Sequence, residues 1–341
     1  GDLRRNVLIL LSLERYRNRD DLDEALIARL QERTEREASA ALRPFGYYDP
    51  KVTTTIDAVG PGRWRARIDI DPRAPVVLAE VLLDVRGPGA TNPAFRRILE
   101  ARSLRTGARL QHALYDGIKD ELRRTAATLG YAEATFARSE LEVDAQNRRA
   151  QIALVLDTGP RYSFGKTRVE EVGLDEDFVR RYLRFAQGVP YDAGELLRTQ
   201  FALDDSQYFS SVEVISGTPD PDTHTIPVDI RTEPNRRNRY TVGAGFATDT
   251  KARGTLGWEN RRLNDRGHRF RADLKAAQLE QSLEARYLLP IGDPALEKLE
   301  LEFRQSRDDL GDLETRTTRF RPAVTQVLGA WQRVFFASLA R

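Results

Sequence analysis

One phrase recurs three times in this chain: a helix-like stretch meets a small or polar residue, then an aromatic, then an alternating strand. The junctions are Phe45-Gly46-Tyr47-Tyr48, Leu129-Gly130-Tyr131 and Ser206-Gln207-Tyr208-Phe209. Later in each unit comes a second apolar strand, at Trp64 to Ile70, Ala150 to Leu156 and Thr225 to Ile230. Each of these ends near a proline, Pro72, Pro160 or Pro234. Repetition at roughly 75–85 residues is too long for a solenoid unit and points to tandem small domains. The tyrosines Tyr47, Tyr131 and Tyr208 read as corner residues, with the ring buried and the hydroxyl reaching water or a backbone group.

The second unit shows the order of elements most completely. Val76 to Arg86 reads as a strand, stopped by Gly87-Pro88-Gly89. Thr91-Asn92-Pro93 opens a short helix through Arg102, with proline in the first turn, where its missing donor matters least. Gly107 breaks the chain before a second helix with Leu114, Ile118, Leu122, Ala126 and Leu129 on one face. Gly130 fits a left-handed stop. Strands over 132–143 and 148–157 turn at Asp144-Ala145-Gln146-Asn147, giving the order β-α-α-β-β. The third unit repeats it: a strand at 162–172, helices at 175–185 and 192–206, then strands at 208–216 and 224–232. Gly188-Val189-Pro190-Tyr191 stands where Gly107 to Leu110 stood. The first unit has helices at 2–14 and 21–43 and strands at 50–58 and 64–70, without an opening strand. That gap, the absence of methionine, and an end inside the apolar Phe335 to Leu339 lead us to expect a segment of a longer protein.

From Arg239 the texture changes to a regular alternation with two unlike faces. Tyr240, Val242, Ala244 and Phe246 oppose Thr241, Gly243 and Gly245; Leu256 and Trp258 oppose Arg253, Thr255 and Glu259. Phe270, Ala272, Leu274 and Ala276 oppose Arg269, Arg271, Asp273 and Lys275. Two further segments follow the same rule, Leu283-Ala285-Tyr287 and Leu299-Leu301-Phe303, with less regular ones at 314–323 and 331–341. A soluble sandwich would also alternate. Strands of about nine to twelve residues, charged at successive positions of the polar face, fit a membrane barrel with a wet interior better. No stretch approaches the roughly 20 apolar residues of a spanning helix. The expected class is therefore α+β and then all-β: three β-α-α-β-β units at 1–74, 75–158 and 159–234, the first lacking its opening strand, then the first part of an antiparallel transmembrane β-barrel at 235–341.

Catalytic chemistry finds little support. The three histidines His112, His224 and His268 lie in separate segments without ligand-spaced neighbours, and nucleophile elbows and phosphate loops do not occur. With no cysteine, thiolate metal sites are excluded; neither a metal nor a cofactor is expected. A formal net charge of +2 with no long basic block argues against nucleic acid as a partner.

The order of units resembles the POTRA-plus-barrel insertase superfamily. The resemblance rests on Gly46-Tyr47-Tyr48-Asp49, Gly159-Pro160-Arg161-Tyr162-Ser163-Phe164-Gly165 and Tyr208-Phe209-Ser210-Ser211-Val212-Glu213-Val214. In the last part it rests on Trp258-Glu259-Asn260-Arg261-Arg262-Leu263-Asn264, Arg266-Gly267-His268, and Tyr287-Leu288-Leu289-Pro290 before Asp293-Pro294. Val85-Arg86-Gly87, followed by Pro88, is not that superfamily's lumenal loop motif. Three units resemble the TamA branch; a BamA-like insertase or a two-partner secretion transporter is the alternative within the superfamily, and a soluble periplasmic scaffold is the alternative of another class.

The resemblance implies an outer-membrane protein that is not an enzyme, with POTRA units in the periplasm. Its implied partners are a TamB-like inner-membrane-anchored protein, unfolded β-barrel or autotransporter clients, and outer-membrane lipids. The candidate pairing strand is Tyr240, Thr241, Val242, Gly243, Ala244, Gly245, Phe246 and Ala247. Gly243 and Gly245 would weaken it as a barrel seam, or else merely relieve crowding. Phe209, Val212 and Val214 mark a candidate POTRA edge. Arg236, Arg237 and Arg239 are candidate contacts to lipid headgroups, or a solvated hinge.

Overall fold

The helix expected over 2–14 is broken, and a residue far along the chain breaks it. Helix α1 (Asp2–Leu10) ends where Leu11 turns extended (φ −69°, ψ 120°), and α2 (Ser12–Arg15) starts at once. Glu37, on α3 (Glu24–Leu42), accepts hydrogen bonds from the Ser12 hydroxyl and, at 2.6 Å, from the Ser12 amide. The amide is one of the unpaired donors that open a helix, where negative charge is favoured. Leu11 meanwhile packs with Val7, Ala38, Ala41 and Leu42. Burial pushes the Glu37 carboxyl up, but the two Ser12 hydrogen bonds and the Arg33 charge outweigh it, so its pKa lies below the usual range. A lowered folded pKa means that this contribution is complete above the ordinary glutamate range and fades as pH falls through the folded value. Glu37→Ala is expected to destabilise the module by about 1–3 kcal/mol at neutral pH. In urea titrations at successively lower pH the difference from the parent chain should shrink.

The structure is a computed structural model describing residues 1–19, 22–60, 63–101, 104–170, 173–247, 251–278, 280–309 and 314–341. Two compact units divide the chain, Gly1–Arg161 and Tyr162–Arg341. In the first, α3 runs through a 3-10 turn into Gly46 and then the antiparallel pair β1 (Lys51–Gly60) and β2 (Arg63–Asp71). Gly46 has φ +88°, and a Cβ there would lie 2.5 Å from the Leu110 carbonyl oxygen. Only glycine meets both demands.

The second module has the expected β-α-α-β-β order: β3 (Val77–Arg86), α4 (Pro93–Glu100), α5 (His112–Thr128), β4 (Thr135–Asp144) and β5 (Arg149–Asp157). The sheet order is β3-β5-β4, with β3 parallel to β5. Asn92 caps α4 by accepting from the Ala94 amide at 3.0 Å, and Gly130 closes the α5 corner at φ +80°. Phe95, Leu110, Leu122, Ile152 and Leu154 form the centre of the core.

The third module, in the second unit, repeats the order: β6 (Ser163–Val169), α6 (Glu176–Arg180), α7 (Ala193–Asp205), β7 (Phe209–Ser216) and β8 (Thr225–Pro234), arranged β6-β8-β7. The helix expected over 175–185 shrinks to five residues. Its continuation is lost because the Arg184 amide donates to Thr199 Oγ1 of α7 at 3.0 Å, while Phe185 stacks on Phe164 with centroids 4.2 Å apart. Both modules share one further device. Leu78 and Phe164 exchange backbone hydrogen bonds with the segments at 107–108 and 188–189, which cover the outer edges of β3 and β6. Among the described residues this leaves β4 and β7 as edges paired on one side only.

Beyond β8 the second unit is one antiparallel sheet. Its strands are β9 (Asn238–Ala247), β10 (Lys251–Asn260), β11 (Arg269–Ala277), β12 (Glu280–Pro290), β13 (Lys298–Asp309), β14 (Glu314–Leu328), β15 (Trp331–Phe336) and β16 (Leu339–Ala340). Neighbours in sequence pair in order from β9 to β15, and β16 returns to β14. The strand expected over 331–341 is thus split. Pro322 of β14 accepts from the Ala337 amide at 3.1 Å but has no N–H to return, so the ladder lapses beside it.

Register keeps the two faces apart. Val242, Leu256, Leu274 and Leu283 are successive cross-strand partners; so are Ala272, Ala285, Phe303 and Phe320. On the other face Glu302 lies between Arg286 and Arg321, the latter donating at 2.8 Å, in a run that Glu284 extends. Such a sheet presents one apolar band and one ion-paired, wettable side.

Candidate functional site

Strand β9 is the terminal strand of the described sheet and is held unevenly. At its start Asn238 Oδ1 accepts from Trp258 Nε1 and from Asn260 Nδ2, each at 3.2 Å. Arg237 adds a guanidinium bond to the Leu263 carbonyl at 2.9 Å, and its own carbonyl accepts from the Arg261 amide at 2.9 Å. Farther along, the partners are small: Ala244 faces Gly254 and Phe246 faces Ala252. Tyr240, Val242 and Phe246 are each about three-quarters exposed.

Both glycines face side chains of β10. A Cβ on Gly243 would lie 2.5 Å from Thr255 Oγ1, and one on Gly245 would lie 3.0 Å from Arg253 Nε. Gly257 does the same for Asp273 Oδ1 at 2.9 Å. Side chains of the wet face lean across glycines of the neighbouring strand. The same geometry leaves Gly243 and Gly245 with backbone pairing alone, within an unbroken register that runs from Asn238 to Ala247.

The three candidate arginines differ in their surroundings. Arg236, Arg237 and Arg239 are exposed, but Arg237 is engaged with the β10–β11 turn as described. On β7, Phe209 and Val212 are buried and Val214 packs against the same core. What β7 offers at its outer edge is therefore backbone, not these side chains.

The aromatic corners do more than cap helices. Tyr47 accepts from Arg109 at 2.9 Å, and the Tyr48 hydroxyl is 2.7 Å from His112 Nε2, so the first corner meets the second module. Tyr131 lies under Arg161, 5.9 Å from the ring centroid, while Arg161 Nε donates to the Leu129 carbonyl at 3.0 Å. Tyr208 donates to the Gly267 carbonyl at 2.5 Å, in the β10–β11 turn. Burial, first of all, pushes the Tyr208 pKa up despite Arg269 nearby, which keeps the hydroxyl a donor.

Several residues of this junction escaped the sequence reading. The Asp175 amide donates to the Asp265 carbonyl at 2.9 Å, and Arg181 Nε to the Gly292 carbonyl at 2.9 Å. Arg184 makes a two-pronged ion pair with Asp293 of the β12–β13 turn, its second contact at 3.3 Å. The signal was present in the motifs Arg266-Gly267-His268 and Asp293-Pro294, but nothing local identifies their partners. The histidines each meet a tyrosine: His268 Nδ1 is 2.7 Å from the Tyr287 hydroxyl, and His224 lies edge-on to Tyr162 at 5.4 Å. Burial and then the Arg266 charge push the His268 pKa down, so that ring is neutral near pH 7.

Residues 1–72 match the sequence family described as POTRA domain TamA domain 1. Among solved structures the chain is similar to BamA from Haemophilus ducreyi lacking POTRA domains 1–3, with a TM-score of 0.59 at 12% identity, over 73% of this chain and 47% of that one. CdiB from Acinetobacter baumannii is similar at a TM-score of 0.46 and 11% identity, over 78% of this chain and 53% of that one. This chain thus spans about half the length of those structures. At such identities the likeness is one of fold, and the BamA structure carries it. The fold is that of POTRA-like α/β modules followed by a large antiparallel sheet that resembles part of an outer-membrane barrel and is not closed within this chain.

Proposed function

We propose that this chain is the periplasmic and early-barrel part of an outer-membrane protein that assists insertion or translocation of β-barrel proteins and autotransporters. Strand β9 is where a client strand pairs. The observation that carries the reading is the register of the sheet: an apolar band and an ion-paired face stay separate from β9 to β14, directly after the third module. Such a sheet is suited to lipid on one side and water on the other. Strand β9 is anchored at its start through Asn238 and Arg237 and lightly packed from Gly243 onward, so it would open from its far end. Unpaired backbone at such a seam is a template for an added strand.

The match of residues 1–72 supports the TamA branch, with a TamB-like protein anchored in the inner membrane as partner and the three modules in the periplasm. The backbone edge of β7, rather than the side chains of Phe209, Val212 and Val214, would take a partner strand. Arg236 and Arg239 would meet anionic headgroups, while Arg237 holds the turn.

The test is a reversible lock in the full-length protein. This chain contributes no cysteine of its own, so in a full-length protein cleared of any other, Val242→Cys and one cysteine in the last barrel strand form the bridge. Oxidation is expected to stop client assembly and reduction to restore it. Client assembly at the parental rate with the seam quantitatively bridged would remove β9 from the mechanism.

A further inference from the structure

Helix α7 carries apolar side chains on its outward side as well as on the side that builds the core. Leu196, Thr199 and Leu203 are buried, at spacings of three and four. Leu197 and Phe201, one turn apart on the other side, are 58% and 67% exposed. This type of module does not require such exposure. On α5, the corresponding helix of the second module, Leu114, Tyr115, Ile118 and Leu122 are all buried or half-buried. A lone exposed leucine is ordinary, but a contiguous pair that includes an aromatic has the form of an interaction anchor.

The apolar stripe runs into charge that the helix itself disfavours. One turn beyond Phe201 come Asp204 and Asp205, the last two residues of α7, both exposed. Carboxylates at this end meet the negative pole of the helix, and no basic residue stands in its last turn. Among the described residues neither aspartate makes an ion pair. The helix has one cation, Arg198, and Glu195 already engages it at 2.7 Å. A cation brought by another molecule would relieve the penalty at the helix end. The same two carboxylates repel an anionic membrane surface, so the complement of this face is protein rather than lipid.

We propose that the outward face of α7, Leu197 and Phe201 beside Asp204 and Asp205, is a docking surface for a partner-protein segment that sets lysine or arginine next to apolar residues. Phe201 is the anchor. It stands on a helix whose other face is locked into the core, so little freedom is lost on binding. The aspartates select among apolar segments: a basic one gains two charge partners, and an acidic one meets repulsion. The surface consists of helix side chains, not of the strand edges of β7 and β9, so it holds or fails whatever those edges pair with.

The experiment places a photoreactive benzoyl-phenylalanine at Phe201 of the full-length protein in intact cells, with Glu121 on α5 as the exposed comparison site. The crosslinked peptide is sequenced by mass spectrometry. One protein segment should be captured at 201 and not at 121, with Lys or Arg within a helical turn of its apolar residues. Asp204→Lys with Asp205→Lys should cut its yield by about tenfold, the scale of one charge-assisted contact. Changing the basic residues of the captured segment to glutamate should restore that yield, a rescue that misfolding of the module would not permit. An adduct with lipid, with a second copy of this chain, or with a segment lacking basic residues would overturn the docking surface. So would the absence of any adduct at 201, or a yield that the paired aspartate substitutions leave unchanged. Client assembly is not read, so the outcome is independent of the seam lock.

Discussion

Gly267→Val is expected to unseat the third module from the β10–β11 turn, with a loss of about 2–5 kcal/mol. Two penalties add. Left-handed backbone costs an L-residue about 1–2 kcal/mol, and more when branched at Cβ. Forcing extra methyl groups into a packed site costs about 1–3 kcal/mol. The site is packed: a Cβ on Gly267 overlaps Phe178 Cζ and lies 2.6 Å from Cε1. The ring cannot retreat, because Tyr182 and Tyr208 stand against it. The readout is the temperature at which the folded protein loses its compact mobility on gels. Gly117→Ala on α5 is the comparison, since a Cβ there meets nothing within 4 Å. That substitution should be neutral or slightly stabilising, because alanine is the better helix residue. Equal midpoints for Gly267→Val and the parent would mean that the turn is not seated on Phe178.

Leu274→Arg should reduce membrane insertion by about 2–4 kcal/mol, the penalty for a cation near the middle of a barrel's lipid face. Leu274 pairs with Leu256 on one side and Leu283 on the other, within the row that starts at Val242. Its neighbour Lys275 points to the charged face, opposite Thr255 and Ser282. Lys275→Ser should therefore change little, since that face is wet in either state. Urea titration of the protein folded into lipid vesicles separates the two substitutions. Similar losses at 274 and 275 would favour a sheet with solvent on both sides and remove the membrane-spanning reading. The asymmetry between adjacent residues is the diagnostic quantity, because a general loss of folding would affect both.

Much of this architecture could be read from neighbours in the chain. The 3.6-residue spacing of Ile118, Leu122 and Ala126 placed α5 and its buried face. Asn92-Pro93 and Gly130 marked helix ends by the capping chemistry their residues allow. The alternation from Tyr240 to Phe303 assigned each side chain to one of two faces, and the pairing keeps that assignment. Pro322 could have warned of the split in the last strand, for a proline leaves any ladder one donor short.

Other features depended on residues far away. Glu37 sits 25 positions from the helix break it stabilises, so the pattern around Leu10 and Leu11 reads as one helix. Thr199 takes the Arg184 amide, just past α6, from 15 positions away. Tyr208 reaches Gly267 across 59 positions, and Arg184 reaches Asp293 across 109. By itself the sequence determined the kinds of elements, their order and the two faces of the final sheet, since periodicity and capping act within a few residues. Only the tertiary structure decided which partner each corner grips, that Gly243 and Gly245 face side chains of β10 and Gly267 the Phe178 ring, and that β7 offers backbone rather than side chains. Those outcomes depend on what stands opposite each residue in space, and chain spacing does not encode it.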